Sequence, residues 1–302
     1  MKSAMLRLAA ALVAIVSLGI AYQRADAPTI PRMSQAANAF LASLTPEQRA
    51  EATFAMDNQE ERLFWQFIPA REILQRTGRP RKGLTFEEMK PEQRHLATAL
   101  LAAGLSTQGF IKAESIMSLE EVLRQLEHDD GVRRNPLKYH FSIFGTPSER
   151  GVWGYRVEGH HISLNYTIVN DKVAASPSFF GSNPAEVREG PRAGLKILAR
   201  EEALARDLVD ALTPEQRAVA IVSDNAPREI LTSNTRKAAL KGQPSGIGAA
   251  KLSAGQRTLL TLADGSSHLG QVFIEKGHHL LGTHLLGDGG KTADVGKKNG
   301  NP

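Results

Sequence analysis

Two adjacent histidines, His160 and His161, stand in the stretch EGHHISLNYT, Glu158 to Thr167. Imidazoles ligate metals, move protons near neutral pH, or hold structure by hydrogen bonding. HHISLNYTIV, His160 to Val169, reads as a strand, and its period of two separates two faces. His160, Ile162, Leu164 and Tyr166 point one way; His161, Ser163, Asn165 and Thr167 point the other. The second set is wholly polar, so it faces bulk water or lines a polar cleft. His160 and His161 face opposite sides of a regular strand and cannot chelate one ion unless a bulge at Gly159 re-aims one of them. His161 and Asn165 lie roughly 13 Å apart along an extended strand, too far to share a metal but within reach of one elongated ligand. A divalent metal needs three or four ligands at set distances. Glu158 is the first candidate to join His160 and His161, with His140, Glu186 and Glu189 as further ones. No HExxH cluster fixes them.

A second candidate is SNPAEVREGPRAG, Ser182 to Gly194. Its loop origin, its helix starts and its residues Arg188, Glu189 and Arg192 suit an anionic or sugar ligand, with helix amides as donors. Together these residues sketch a hydrolase-like site: His161 as acid–base or ligand-orienting group, Glu189 as carboxylate partner, and Arg192 holding an anion. The bland alternative is a rigid connection that docks the following helix on the sheet. Trp153 and Tyr155 offer a stacking platform to a saccharide or peptide, with Asn165 and Arg188 as polar contacts; the same rings serve equally as cross-strand packing. Nucleophile motifs such as GxSxG and Ser-x-x-Lys are missing, and GIG at Gly246–Gly248 lacks a third glycine and a preceding strand. His278, His279 and His284 crowd the tail like a metal tract but belong to no element.

The elements that must position these groups announce themselves by a repeated phrase. LTPEQRA occurs at Leu44–Ala50 and again at Leu212–Ala218, with relatives in MKPEQRHLATALL from Met89 and KLSAGQRTLLTL from Lys251. Each is a helix start: Thr45 or Thr213 as N-cap, Pro46 or Pro214 at the first helical position, and Gln48 or Gln216 closing a capping box. Ser253 and Gln256 do the same without proline. AREIL (Ala70–Leu74) and PREIL (Pro227–Leu231) follow the first and third copies as turns, so the chain reads as an internal duplication of helix, turn, loop and helix. Arg49, Arg94, Arg217 and Arg257 occupy equivalent places and are expected to make structural hydrogen bonds. Between the copies, Tyr139 to Phe180 holds eight of the chain's 17 aromatic residues. There YHFSIFG, VWGYRV, HHISLNYTIV and KVAAS read as four antiparallel strands, with a tight turn at Glu158-Gly159. Asn183, Pro184 and Glu186 then start a short helical turn, and a longer amphipathic helix carrying Leu195, Leu198, Leu204, Leu208 and Val209 runs to about Leu212. The expected fold is α+β, a duplicated helical scaffold around an antiparallel β-meander. It divides into a helical copy at 28–135, the meander at 136–180, a second helical copy at 181–262, and a tail at 263–302.

The N-terminus, residues 1–27, reads as a signal peptide: Lys2 and Arg7, then an apolar run from Leu8 to Ala21, then ADA at Ala25–Ala27 as a cleavage pattern, with Gly19-Ile20-Ala21 as a rival. The expected location is periplasmic or extracellular, the alternative being an uncleaved N-terminal anchor. No later stretch is long and apolar enough to cross a bilayer. Either cut lowers the formal charge of +5 by two, since Lys2 and Arg7 go in both and Arg24 offsets Asp26 in the longer one. So small an excess argues against nucleic acid as partner. The chain has no cysteine, which excludes thiolate chemistry, thiolate–zinc sites and disulfides. The tail carries nine of the 26 glycines without periodicity and is expected to be irregular or read in a shifted frame, with a short strand at Gln271–Ile274.

Several phrases together resemble one bacterial family, the domain of unknown function 3500. They are LTPEQRAEATFAMDNQEERLFWQFIP, MKPEQRHLATALLAAGLS, SIMSLEEVL, YHFSIFGTPSERGVWGYRVEGHHISLNYT, PSFFGSNPAEVREGPRAGLKIL and LTPEQRAVAIVSDNAPREIL. The resemblance covers about residues 40 to 262. It implies exported relatives without an established activity, and a second β segment ending in a histidine-bearing strand after the second helical copy. In this chain the glycine-rich tail stands in that place, which makes a defective family copy the third reading beside enzyme and binding module.

Overall fold

A computed structural model of the chain describes residues 29–225, 245–266 and 271–274. The signal-like leader, PREIL and the tail histidines lie outside the described residues. Helix α1 (Thr29–Ser43) leads into α2 (Pro46–Ala52), whose start is the capping box read from the sequence: Gln48 N–H donates to Thr45 Oγ1 at 3.3 Å and Thr45 N–H to Gln48 Oε1 at 3.1 Å. Then come β1 (Thr53–Phe54), the single turn α3 (Gln59–Leu63), α4 (Ala70–Thr77), β2 (Leu84–Thr85), α5 (Pro91–Ala103) and α6 (Thr107–Leu126). AREIL is therefore the start of a helix and not a turn: Pro69 precedes it, Arg71, Glu72 and Leu74 are good helix formers, and Gly78 at φ 68° ends it.

The sheet follows with β3 (His140–Phe144), β4 (Val152–Gly159), β5 (Ile162–Val169), β6 (Lys172–Ala174) and β7 (Ser178–Ser182). The chain closes with α7 (Ala199–Asp210), α8 (Pro214–Ala220), α9 (Ala254–Ser266) and β8 (Gln271–Ile274). The strand order is β1-β3-β4-β5-β7-β8. Pairs β3–β4, β4–β5 and β5–β7 are antiparallel, whereas β1 lies parallel to β3 and β8 parallel to β7. The class is α+β with a mixed sheet. The four expected strands are present, and β7 and the two-residue β1 and β2 add to them.

One face of the sheet builds the main core. Phe141, Ile143, Trp153, Tyr155, Val157, Ile162, Leu164, Tyr166 and Ile168 alternate inward and pack on α1, α5 and α6. Trp153 and Tyr155 are 0% and 1% exposed, and Tyr155 stacks on Tyr166 with ring centroids 4.5 Å apart. They form core, not a stacking platform, because they share the inward period with Val157.

The segment after β7 departs from expectation. No helix starts at Asn183, and α7 begins at Ala199, so Leu195 is not on its face. Residues 183–198 fold back on themselves instead: Gly194 N–H donates to Val187 O at 2.7 Å and Val187 N–H to Leu195 O at 3.0 Å. Val187 is buried with Leu119 and Val122 of α6, and Arg192 donates to Ser118 O and Oγ at 3.0 and 2.8 Å. This loop docks onto α6, where the bland reading had it dock the following helix on the sheet. Among the described residues no helix is long and apolar enough to cross a membrane.

Candidate functional site

The two histidines are the loop of a hairpin, not its second strand. Glu158 pairs with Ser163 and Gly159 with Ile162, which leaves His160 and His161 as the two-residue connection. The turn thus sits two residues later than the Glu158-Gly159 turn expected. Gly159 serves another purpose: a Cβ there would stand 2.3 Å from the Tyr139 ring. His161 takes φ 62°, left-handed backbone that costs a residue with a Cβ on the order of 1 kcal/mol. Its neighbours hold it there. His161 N–H donates to Phe67 O at 2.7 Å, Gly181 N–H to His161 O at 2.8 Å, and Tyr139 Oη to His160 O at 2.8 Å. Gly181 also leaves room for the imidazole, since a Cβ there would lie 2.6 Å from His161 Nδ1.

The turn brings together what a regular strand would have separated. The two rings meet edge to face, centroids 4.1 Å apart and planes at 74°. His161 also meets Phe179 edge to face at 6.4 Å. His160 Nδ1 hydrogen-bonds to Glu120 Oε1 of α6. Arg134 lies beside the pair, its Nη1 3.1 Å from His160 Nδ1 and 3.9 Å from Glu120 Oε1. Its Nε and Nη2 grip Glu127 as a fork, both at 2.8 Å. Arg134 Nη1 also lies 3.4 Å from His160 Nε2, and a guanidinium only donates, so at least one nitrogen of the His160 ring is an unprotonated acceptor and the imidazole is neutral.

The electrostatics agree with that assignment. Burial pushes Glu120 up to about 7, more than Arg134 pulls it down. Burial, helped by Arg134 and Arg81, pushes His160 down to about 3. Burial, then His160 and Arg134, holds His161 well below the usual imidazole range. Near pH 7 the centre is two neutral imidazoles and one carboxyl poised between its forms. His140, on β3, is likewise pushed down to about 4, chiefly by burial, and its Nδ1 lies 3.2 Å from Gly83 O.

The remaining candidates have other work. Glu158 is buried; Oε2 accepts from Gln66 N–H at 2.9 Å, and Oε1 lies 3.4 Å from both Arg81 Nε and Arg156 Nη1. Arg156 in turn donates to the carbonyls of Phe64 at 2.8 Å and Glu61 at 2.5 Å. Asn165 donates to Pro177 O at 2.9 Å and Ser163 Oγ at 3.2 Å. Residues 61–68 therefore lie across part of the polar face of β4 and β5, over Arg156 and Glu158, while Asn165 and Thr167 stay partly exposed. Glu186 pairs with Lys196 at 3.2 Å on the surface. Arg188 and Glu189 are exposed, and no hydrogen bond or ion pair joins either to the histidines. Arg192 is spent on Ser118. Among the described residues no group of three or more His, Asp or Glu side chains is gathered as a metal ion would need.

The carboxylate partner that sequence reasoning missed is Glu120. One signal was available: Glu120 falls four residues after Ile116 and three before Leu123, on the buried stripe of α6, and it is only 3% exposed. Arg134, in a loop 26 residues before His160, gave none.

Comparison with known proteins adds a family and no activity. Residues 26–265 match the family described as protein of unknown function, DUF3500. No curated protein and no solved structure matches the chain.

Proposed function

For this chain, which belongs to the DUF3500 family, we propose an exported, hydrolase-like enzyme whose acid–base centre is the His160–His161 turn. Export rests on the leader-like residues Lys2, Arg7 and Leu8–Ala21. The observation that carries the chemistry is the buried Glu120–His160 pair set against a second neutral imidazole in strained backbone. Neutral His161 is able to take a proton from water or a nucleophile as the new bond forms. Glu120, with its affinity raised to about 7, is able to return one to a leaving group through His160. In this reading Glu120 replaces Glu189 as carboxylate partner, and Arg134 replaces Arg192 as the cation beside the histidines. A saccharide- or peptide-binding module built on Trp153 and Tyr155 has less support, because both rings are buried.

Two measurements test the proposal. In nitrogen-15 spectra of the imidazoles, His160 and His161 should stay neutral down to pH 5; titration of both near 6.5 would sink it. Panels of chromogenic esters, amides, glycosides and phosphates should then yield a substrate whose turnover falls by about 10²–10⁴-fold in His161→Ala. A substrate turned over equally by wild type and His161→Ala would place the chemistry elsewhere.

A further inference from the structure

His160 and His161 are each 9% exposed, so a centre at this turn meets no substrate unless something moves. Among the described residues it is enclosed by the hairpin itself, α6 through Glu120, β7 through Gly181, the stretch Phe64–Ile68 through the Phe67 carbonyl, and the loop before β3 through Arg134, which Glu127 grips at the end of α6. The first three are anchored in the main core. Val157 and Ile162 belong to the hairpin, Ala113, Ile116 and Met117 to α6, and Phe180 to β7. The stretch Phe64–Ile68 is different in kind. It has no regular structure, runs from the end of α3 to Pro69, and places Trp65 and Phe67 with Phe179 in a small cluster separate from that core. Phe67 stacks on Phe179 with centroids 4.2 Å apart, and Phe179 is the ring that touches His161.

Besides this packing, hydrogen bonds tie four of this strap's five residues to β4, to the histidine turn and to Arg81. Arg156 Nη1 donates to Phe64 O at 2.8 Å, Gln66 N–H to Glu158 Oε2 at 2.9 Å, His161 N–H to Phe67 O at 2.7 Å, and Arg81 Nη2 to Ile68 O at 2.7 Å. Bonds of this sort are released together or not at all, and each released group meets water as a satisfactory replacement. Lifting the strap uncovers only the small cluster of Trp65, Phe67 and Phe179, whereas opening the other elements would uncover the main core.

We propose that Phe64–Ile68 is the gate of the histidine centre: it lifts from Arg156, Glu158 and His161 as a unit while the sheet and α6 stay folded. The gate rests on the reading of that turn as the functional site, and it is tested without any substrate. Amide hydrogen exchange on the full chain reads it directly. The His161 and Gln66 amides should exchange together and at least roughly a hundredfold faster than those of Tyr155 and Leu164 in the sheet. Phe67→Ala should speed the first two further and leave the last two unchanged. It should also raise the rate at which diethyl pyrocarbonate modifies His161, read by peptide mass. Exchange of His161 and Gln66 only at the rate of Leu164 in the wild-type chain would overturn the gate, whatever the variant does. Fast exchange combined with turnover indifferent to His161→Ala would leave the gate standing and remove the catalytic reading.

Discussion

The two helical modules of the chain make the same hydrogen bonds and meet different neighbours. In the first, Gln48 Nε2 donates to Glu88 O at 2.7 Å, Gln93 Nε2 to Ser43 O at 2.8 Å, and the two glutamine side chains bond each other. In the second, Gln216 Nε2 donates to Lys251 O at 2.9 Å, Gln256 Nε2 to Ala211 O at 2.7 Å, and those two glutamines bond each other. Arg49 and Arg217 reach back to the carbonyls of Leu41 and Val209 at 2.6 and 2.7 Å. Immediately afterwards the modules part. Thr53 and Phe54 become β1 beside Ile143 and Phe144, whereas the residues in the same place, Ile221 and Val222, join no strand and are 44% and 65% exposed. A local polar clasp thus sets the angle between two helices twice over. Whether the module joins a core depends on a strand arriving next to it, which no clasp can supply.

The largest test of this contrast concerns α6, which follows the first module and carries Glu120. Glu120 has its proton affinity raised on folding, from 4.5 to about 7. Its contribution is therefore full below the unfolded value and lost as pH rises through about 7, worth up to about 3 kcal/mol. Measured by urea unfolding, Glu120→Gln should gain on wild type between pH 4.5 and 7, and the exchange rates of α9 amides should not follow. Next comes the clasp. Gln93→Ala strands the Lys90 amide and the Ser43 carbonyl and should lower the main transition by about 2 kcal/mol. Gln256→Ala removes the same bonds and should show instead as faster exchange in α9 with the main transition almost unmoved. Equal loss in both variants would mean that the second module is as much a part of the core as the first. The smallest effects lie at the parting point. Phe54→Ala should cost about 1–2 kcal/mol, half of a fully buried ring, for its stack on Phe144 at 5.4 Å. Val222→Ala should stay within about 0.5 kcal/mol.

What was legible in the sequence was what is local. Thr45, Pro46 and Gln48, and their counterparts Thr213, Pro214 and Gln216, declare helix starts because a cap involves residues three apart. The four arginines were expected to hydrogen-bond, and all four hold carbonyls within eight residues. The strands of the meander were legible by alternation. The hairpin turn was not, because His-His is no turn signal; Tyr139, Phe67 and Gly181, all distant in sequence, hold His161 in left-handed backbone. Glu120 meets His160 from 40 residues away, a pairing that only the packing of α6 on the sheet decides. The arginine-bearing loop after β7 looked like a site because exposed charge and docking charge are written with the same letters.

The outer side of β3 is covered by two strands of two residues each, β1 parallel along Ile143–Phe144 and β2 antiparallel along His140–Phe141. A stranger chain seeking to extend the sheet there finds no edge longer than a dipeptide, and the two pieces run in opposite senses. No single incoming strand can match both. The seam that closes this flank of the molecule is therefore also its defence against growing into a filament.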